Sequence, residues 1–542
     1  LHGALILVAA SALVKVLGAI FKIPLTNLIK EDGMGLFNTS YTLYAFFVLA
    51  AKGFSIAVSK MVSESVTLGK RREASRIFYV AFIILGIIGT IGAGLLYWGA
   101  EGFSSVFGNT RAALCIKAIA PSVLFVALVS ALRGYFQGKQ NMYPTALSEV
   151  TEALGKLVIG IILAWWFISA SIEKAASGAV FGVTCSTFLS LLLAGTFFIF
   201  DRRGAGRTRH EKARGIFSIA KELLVISLPI TIGASVASLT NVVDMMTIMN
   251  RLQSITQVTP EFAEKYISLT GGVLISGGIY ESLANKLYGL YSGYAVQLFN
   301  LPLTMIVALS TSVLPAISGA LARSDINGAQ RIIKSVIRIT VLFSLPCAAG
   351  LSVVAGPVLQ LIFNDSLARD LLSTISLAIV FVSVVQVTNA ILQAYGKMHI
   401  PVINMLIGCM VKIIANYYLV AIPSLNIDGA PLGTIACYFI IAALNIICII
   451  KITGISFGLG EFVVKPVASA AGMGIIVVFM LNMLSDIGFG VKSSGLLAVV
   501  TGVIVYTVLV FLVGAVTKTD IEMLPMGKKA AIVLDRLHLL KK

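Results

Sequence analysis

Several ionisable side chains stand inside stretches apolar enough to be membrane core: Lys15, Lys22, Lys52, Lys117, Glu149, Glu152, Lys156, Asp244 and Lys412. An ionised group at bilayer depth costs roughly 3 kcal/mol or more, so each must meet water, a partner or a ligand. Lys15 and Lys22 are seven residues apart and share a helix face. Together with Lys52 they have no acid within a turn, which leaves ammonium groups free to hold an anion such as a phosphate as point charges. Glu152 and Lys156 have the favourable i, i+4 order and are either a self-neutralising pair or part of a site with Glu149. Lys117 is near enough to the end of its span to snorkel. Asp244 is the acid that would serve a cation or proton site, unless a lysine takes it as partner.

Other chemistries find no support. The 4 histidines are scattered, and the 6 cysteines lie in apolar spans without C-x-x-C spacing, so no metal site is expected and the cysteines read as core residues. Gly86, Gly89, Gly92 and Gly94 have no Lys-Ser/Thr behind them and read as helix-packing positions rather than a phosphate loop. There is no P-loop, G-x-S-x-G or H-E-x-x-H, hence no ATP hydrolysis, no nucleophilic catalysis and no expected cofactor. A membrane enzyme would need paired acids in an external loop, and the long one, about 250–286, offers only Glu261, Glu264 and Glu281 without a paired motif.

The elements that position these groups follow from composition. The chain has 542 residues, 58% hydrophobic and 12% charged, with mean hydropathy +0.96. Soluble domains carry about 25% charged residues. Apolar runs of about 20 residues, the length that spans a bilayer as helix, recur along the chain. The expectation is an all-α polytopic membrane protein of about fourteen transmembrane helices. Among these are a fourth span at Ala113 to Leu132, an eighth at Tyr288 to Leu314 kinked by Pro302 and Pro315, and a tenth at Leu371 to Ala394. The first apolar segment is too long for a signal-peptide core and reads as a retained helix.

The formal charge of +17 is sorted by loop rather than gathered on a soluble face, which argues against nucleic acid. Lys70, Arg71, Arg72 and Arg76, then Arg202 to Lys221, then Lys518 to Lys542 fall in alternate loops. The positive-inside rule therefore places both termini in the cytoplasm.

The chain also repeats. Leu132-Arg133-Gly134-Tyr135-Phe136-Gln137-Gly138-Lys139 leads to Pro144, and Leu392-Gln393-Ala394-Tyr395-Gly396-Lys397 leads to Pro401, 257 residues later. Gly35-Leu36-Phe37 matches Gly289-Leu290-Tyr291, Ala74-Ser75-Arg76-Ile77 matches Ala329-Gln330-Arg331-Ile332, and Lys156 corresponds to Lys412. The offset implies two six-helix lobes in parallel pseudo-symmetry plus two C-terminal helices, with about 40 residues inserted between the first two helices of the second copy. The expected divisions are 1–200 (N-lobe), 201–222 (basic cytoplasmic linker), 223–452 (C-lobe), 461–516 (last two helices) and 517–542 (basic cytoplasmic tail). Two-lobed membrane proteins without a large soluble domain move something between leaflets or compartments, with the substrate near the midplane.

Arg133-Gly134-Tyr135-Phe136-Gln137-Gly138, followed by Asn141-Met142 and Pro144-Thr145-Ala146, resembles the signature of the polysaccharide-transport branch of the multidrug/oligosaccharidyl-lipid/polysaccharide flippase superfamily. It is most similar there to the stage V sporulation protein B group and its lipid II flippase relatives among Gram-positive bacteria. Gly33-Met34-Gly35-Leu36-Phe37, Ala57-Val58-Ser59-Lys60 and Val313-Leu314-Pro315 with Ser318 are similar to that group too. The resemblance implies a flippase fold with a central cavity in the bacterial cytoplasmic membrane, and a substrate in which an undecaprenyl chain bears a diphosphate-linked sugar for cell-wall or spore-cortex synthesis. It implies that basic residues of the first two helices bind that substrate, with Lys15, Lys22 and Lys52 standing near those positions. Lys replaces the Arg usual in Gram-negative relatives, and the acid beside the first-helix basic residue is missing, since Ile23 and Pro24 follow Lys22. The expected partners are the lipid-linked glycan, membrane lipids and Na⁺ or H⁺ as the coupling ion, for a chain acting as a monomer. The competing reading is a cation-coupled multidrug exporter of the same superfamily, worked by Asp244, Glu149 and Glu152.

Overall fold

The computed structural model describes residues 2–204, 214–272, 277–458 and 460–516, so residues 205–213 of the basic linker and the whole basic tail lie outside the described residues. Helices account for nearly all of the rest, because apolar sequence at this length can satisfy its backbone in lipid only by intrahelical hydrogen bonds. In chain order they are α1 (His2–Thr67), α2 (Arg71–Trp98), α3 (Ala100–Val106), α4 (Ala113–Gly138), α5 (Tyr143–Ile168), α6 (Ile172–Gly204), α7 (Ile216–Gln253), α8 (Pro260–Lys265) and α9 (Glu281–Gly289). Then come α10 (Val296–Ala322), α11 (Ile326–Val353), α12 (Ala355–Ile362), α13 (Arg369–Ser376), α14 (Ala378–Ala394), α15 (His399–Leu419), α16 (Gly429–Thr453), α17 (Lys465–Asp486) and α18 (Val491–Val513).

Among the described residues, 11 helices are long and apolar enough to cross a membrane, or 12 if the bent pair α13 and α14 is one span. The protein is thus an all-α polytopic membrane protein. The first such segment, Ala9–Thr67, is 59 residues long and is broken at Lys30, whose φ of 55° and ψ of −166° are not helical. The tenth expected span is a broken one, with α13 and α14 meeting at a 40° bend. In the eighth, the helix runs on through Pro302 and Pro315, and the irregular backbone sits earlier, in a π-helical turn at Leu290–Ala295.

Local sequence explains the boundaries. Gly69, at φ 74°, ends α1, and left-handed Gly454 and Gly514 end α16 and α18, a conformation that side chains disfavour. Asp325 caps α11 by accepting a hydrogen bond from the Gly328 N–H at 2.7 Å.

The described chain forms two compact units. The first comprises Leu1–Val258 and Ser268–Gly293, and the second comprises Thr259–Ile267 and Tyr294–Lys542. Within the first, α4 packs on α1, α2 and α6, and α5 packs along α6. Glycines set the close approaches, as expected where lipid removes the hydrophobic drive between helices. A Cβ on Gly182 of α6 would collide with Gly160 of α5, and one on Gly89 would lie 3.0 Å from Leu124 and Ala127 of α4. Gly89 and Gly92 of α2 therefore do the packing work expected of that glycine series, whereas Gly94 faces Trp98 of its own helix. In the second unit, α14 packs on α10, α11 and α16, α15 packs on α16, and α17 joins α11 and α18.

Candidate functional site

The ionisable groups of the first unit sort into three settings. In the deepest, Glu152 of α5 accepts from Lys156 at 2.7 Å, from Arg133 of α4 at 3.0 Å and from the Tyr44 hydroxyl of α1 at 2.9 Å. Arg133 also donates from Nε to the Ser148 hydroxyl at 2.9 Å and from its terminal nitrogen to Ser190 of α6 at 3.0 Å. Two cations around one carboxylate satisfy most of its lone pairs, which is what allows such a cluster inside a helix bundle. Glu152 and Lys156 are thus joined, and their third partner is Arg133.

The lysines of α1 are in a different setting. Lys22 is half-buried, and its ammonium lies 5.6 Å from the centroid of the Tyr41 ring. Lys15 and Lys52 are exposed, on opposite sides of the break at Lys30, and near enough that each charge is felt by the other. None of the three forms an ion pair among the described residues. The Lys15 and Lys52 charges repel one another.

The third setting is the end of the unit where α1 breaks. Arg111, just before α4, holds the Asp32 carboxylate with two parallel bonds of 2.9 Å and donates from Nε to Glu173 of α6 at 2.8 Å. Asp32 in turn accepts from the Asn285 side chain of α9 at 2.6 Å, and Asn285 accepts from Asn109 at 2.8 Å. Beside this knot the helices touch through backbone. A Cβ on Gly289 would collide with the Glu31 carbonyl, one on Gly35 would collide with Asn285, and Asn38 donates to Ser292 at 3.1 Å.

The remaining residues are scattered. Glu149 is half-buried on α5. Asp244 on α7 is half-buried and close enough to Tyr288 for its charge to act there. Lys117 reaches Glu101 at 2.8 Å, the partner that lets it sit near a span end, and its hydrogen bond, then its charge, hold the exposed Glu101 carboxyl below the usual range. Lys412 belongs to the second unit and is 6% exposed.

Sequence reasoning missed Arg133 and Tyr44 as partners of Glu152. Ending the fourth span at Leu132 left Arg133 just outside, whereas α4 continues to Gly138 and carries it inward. In the second unit a buried amide network was missed as well. Asn404 of α15 donates to Asn445 of α16 at 2.8 Å, and Asn445 donates to Asn389 and Thr388 of α14 at 2.8 and 3.0 Å.

A helical bundle of many membrane spans, carrying amines that form no ion pair among the described residues, is the framework of a membrane transporter. The family model described as polysaccharide biosynthesis protein matches residues 1–321, and the chain belongs to that family. A second model, lipid II flippase MurJ, matches residues 282–511. The chain is 26% identical to stage V sporulation protein B of Bacillus subtilis (strain 168), covering 97% of this chain and 98% of that one. It is 24% identical to lipid II flippase MurJ of the same organism, over 84% of each. A solved structure of lipid II flippase MurJ in an inward closed conformation superposes with a TM-score of 0.65 at 16% identity, covering 93% of this chain and 97% of that one.

Proposed function

We propose that this protein flips an undecaprenyl-diphosphate-linked sugar from the inner to the outer leaflet by alternating access, as a monomer with both termini in the cytoplasm. The observation that carries the reading is the set of α1 lysines, Lys15, Lys22 and Lys52, held at membrane depth with no carboxylate against them. An ammonium whose charge is not spent on a carboxylate binds a diphosphate strongly where water is scarce. Moving negative charge outward is favoured by an inside-negative potential at about 2.3 kcal/mol per charge per 100 mV, so the headgroup step needs no ATP. The polyprenyl tail stays in lipid. Glu149 and the Glu152–Lys156 pair join the site in this reading, the pair by shaping the wall beside the α1 lysines, and Lys412 is the substrate-binding candidate of the second unit.

Fourteen helices follow if Ala9–Thr67 is counted as two spans meeting at Lys30 and α7 is included. Two six-helix lobes, 1–200 and 223–452, with the helices of 461–516 outside them, are supported by contacts between positions that the repeat equates. Asn38 bonds Ser292, 254 residues on, and Gly35 packs against the α9 segment that holds its counterpart Gly289. Residues near a two-fold axis touch their own equivalents in this way. The cytoplasmic orientation is supported by the basic loop residues Lys70, Arg71, Arg72 and Arg76 and by those from Arg202 to Lys221, which fall in alternate loops.

Asp244 is the group through which Na⁺ or H⁺ would couple, and a cation-coupled drug exporter is the competing use of the same scaffold. Reconstitution in liposomes separates them. The flippase reading expects lipid II or another undecaprenyl-diphosphate sugar to be translocated and lipophilic cations not to be. Uptake of cations that Asp244→Asn abolishes, with lipid-linked sugars left in place, would select the exporter.

A further inference from the structure

Lys22 and Lys156 both sit over tyrosine rings of α1, yet their electrostatic circumstances differ. The Lys156 ammonium is 5.0 Å from the Tyr44 centroid and also 2.7 Å from the Glu152 carboxylate, so its charge is already answered. The Lys22 ammonium is 5.6 Å from the Tyr41 centroid and forms no ion pair among the described residues. The Tyr41 ring is itself fixed. It stacks on Phe37 with centroids 5.4 Å apart and planes at 15°, and Phe37 meets Phe21 edge-on at 5.9 Å. Phe21 is the neighbour of Lys22 in sequence, so the aromatic run ties the ring to the same turn that carries the lysine.

An aromatic face and a carboxylate can both hold an ammonium group, but they leave it in different states. A carboxylate neutralises the charge and takes up N–H donors, and an arriving phosphate must then displace it. The negative face of a ring attracts the cation without accepting a strong hydrogen bond, so charge and donors remain available.

We propose that Tyr41 is the positioning residue of the substrate site: its ring holds the Lys22 ammonium in place, with its N–H donors not taken up by a carboxylate, for the diphosphate. This rests on the flippase reading of the α1 lysines. Tyr41 acts through Lys22, and its contribution lies in the affinity for the anion rather than in the rate of the helix movements.

The test uses the full chain in liposomes with lipid II as probe, together with amine labelling of the same proteins in the absence of substrate. Tyr41→Leu is expected to raise the lipid II KM about fivefold while leaving the limiting rate within about twofold, and Tyr41→Phe, which keeps the ring face, to stay within about twofold of wild type in both. In a Lys22→Gln background Tyr41→Leu should add nothing. Labelling of Lys22 by a water-soluble succinimidyl ester, scored by peptide mass spectrometry against Lys52 as internal reference, should rise about threefold or more in Tyr41→Leu and stay unchanged in Tyr41→Phe.

Equal labelling of Lys22 in all three proteins overturns the proposal, as does a Tyr41→Phe defect as large as that of Tyr41→Leu. If wild type does not move lipid II, the functional reading fails, whereas the labelling result still decides whether Tyr41 holds Lys22. If Tyr41→Leu does not elute as a monodisperse protein, Tyr41→Met replaces it in both assays.

Discussion

In the first unit Arg133, Glu152 and Lys156 tie α4 to α5 by ion pairs, and hydroxyls of Ser148 and Ser190 complete the join to α6. In the second unit Asn389, Asn404 and Asn445 tie α14, α15 and α16 by amide hydrogen bonds. The two sets of residues lie a similar distance apart along the chain. Asn389 and Asn404 lie 256 residues beyond Arg133 and Ser148, and Asn445 lies 255 beyond Ser190. A three-helix junction is thus held by charge in the first unit and by neutral dipoles in the second. Gly408 lies 256 residues beyond Glu152, and a Cβ there would meet the end of the Ile441 side chain of α16. Lys412, the counterpart of Lys156, thus lacks the acid one turn back.

The largest effect expected from this contrast is at Glu152. Glu152→Ala leaves Arg133 and Lys156 together without their carboxylate and should lower stability by about 3–5 kcal/mol, read as thermal unfolding of the detergent-purified protein. A loss below about 1 kcal/mol would mean that the ionic junction is not the stronger of the two. Asn445→Ala removes three amide bonds of the neutral junction and should cost about 1–2 kcal/mol by the same measurement, since side-chain hydrogen bonds between membrane helices are individually modest. Should it cost more than Glu152→Ala, the comparison is inverted.

Arg111→Lys preserves the charge at the Asp32 knot but loses the paired geometry, and about 1 kcal/mol of destabilisation is expected, with Arg111→Met costing more. Equal values for the two variants would show that charge alone holds that end of α1. The smallest effect belongs to Glu101→Gln. The pair with Lys117 is exposed, so no measurable change in melting temperature is expected.

Much of the architecture was legible in the residues, because lipid forces apolar sequence into helices and periodic charge loss marks their ends. The pairing of Glu152 with Lys156 followed from i, i+4 spacing on one helix. Their coupling to Arg133 and Tyr44 did not, since it depends on how three separate helices are packed, and no spacing along the chain records that. The glycines of α2 could be read as packing positions because an apolar run with no Lys-Ser/Thr behind it leaves them no phosphate to bind. The π turn at Leu290–Ala295 was hidden for the opposite reason. Pro302 and Pro315 drew attention to themselves, whereas the irregular turn carries no proline and shows only when the backbone is traced. The amides Asn389, Asn404 and Asn445 look like isolated polar residues in sequence and become a network only through tertiary contact.

Flipping is proposed to depend on the amines Lys22 and Lys52 of α1 and on Lys412 of the second unit. Lys22→Gln, Lys52→Gln and Lys412→Gln, each expressed at wild-type level in a strain depleted of its lipid II flippase, test it most directly. The account predicts that the α1 changes abolish rescue of growth and that Lys412→Gln impairs it, whereas full growth from all three variants would contradict it.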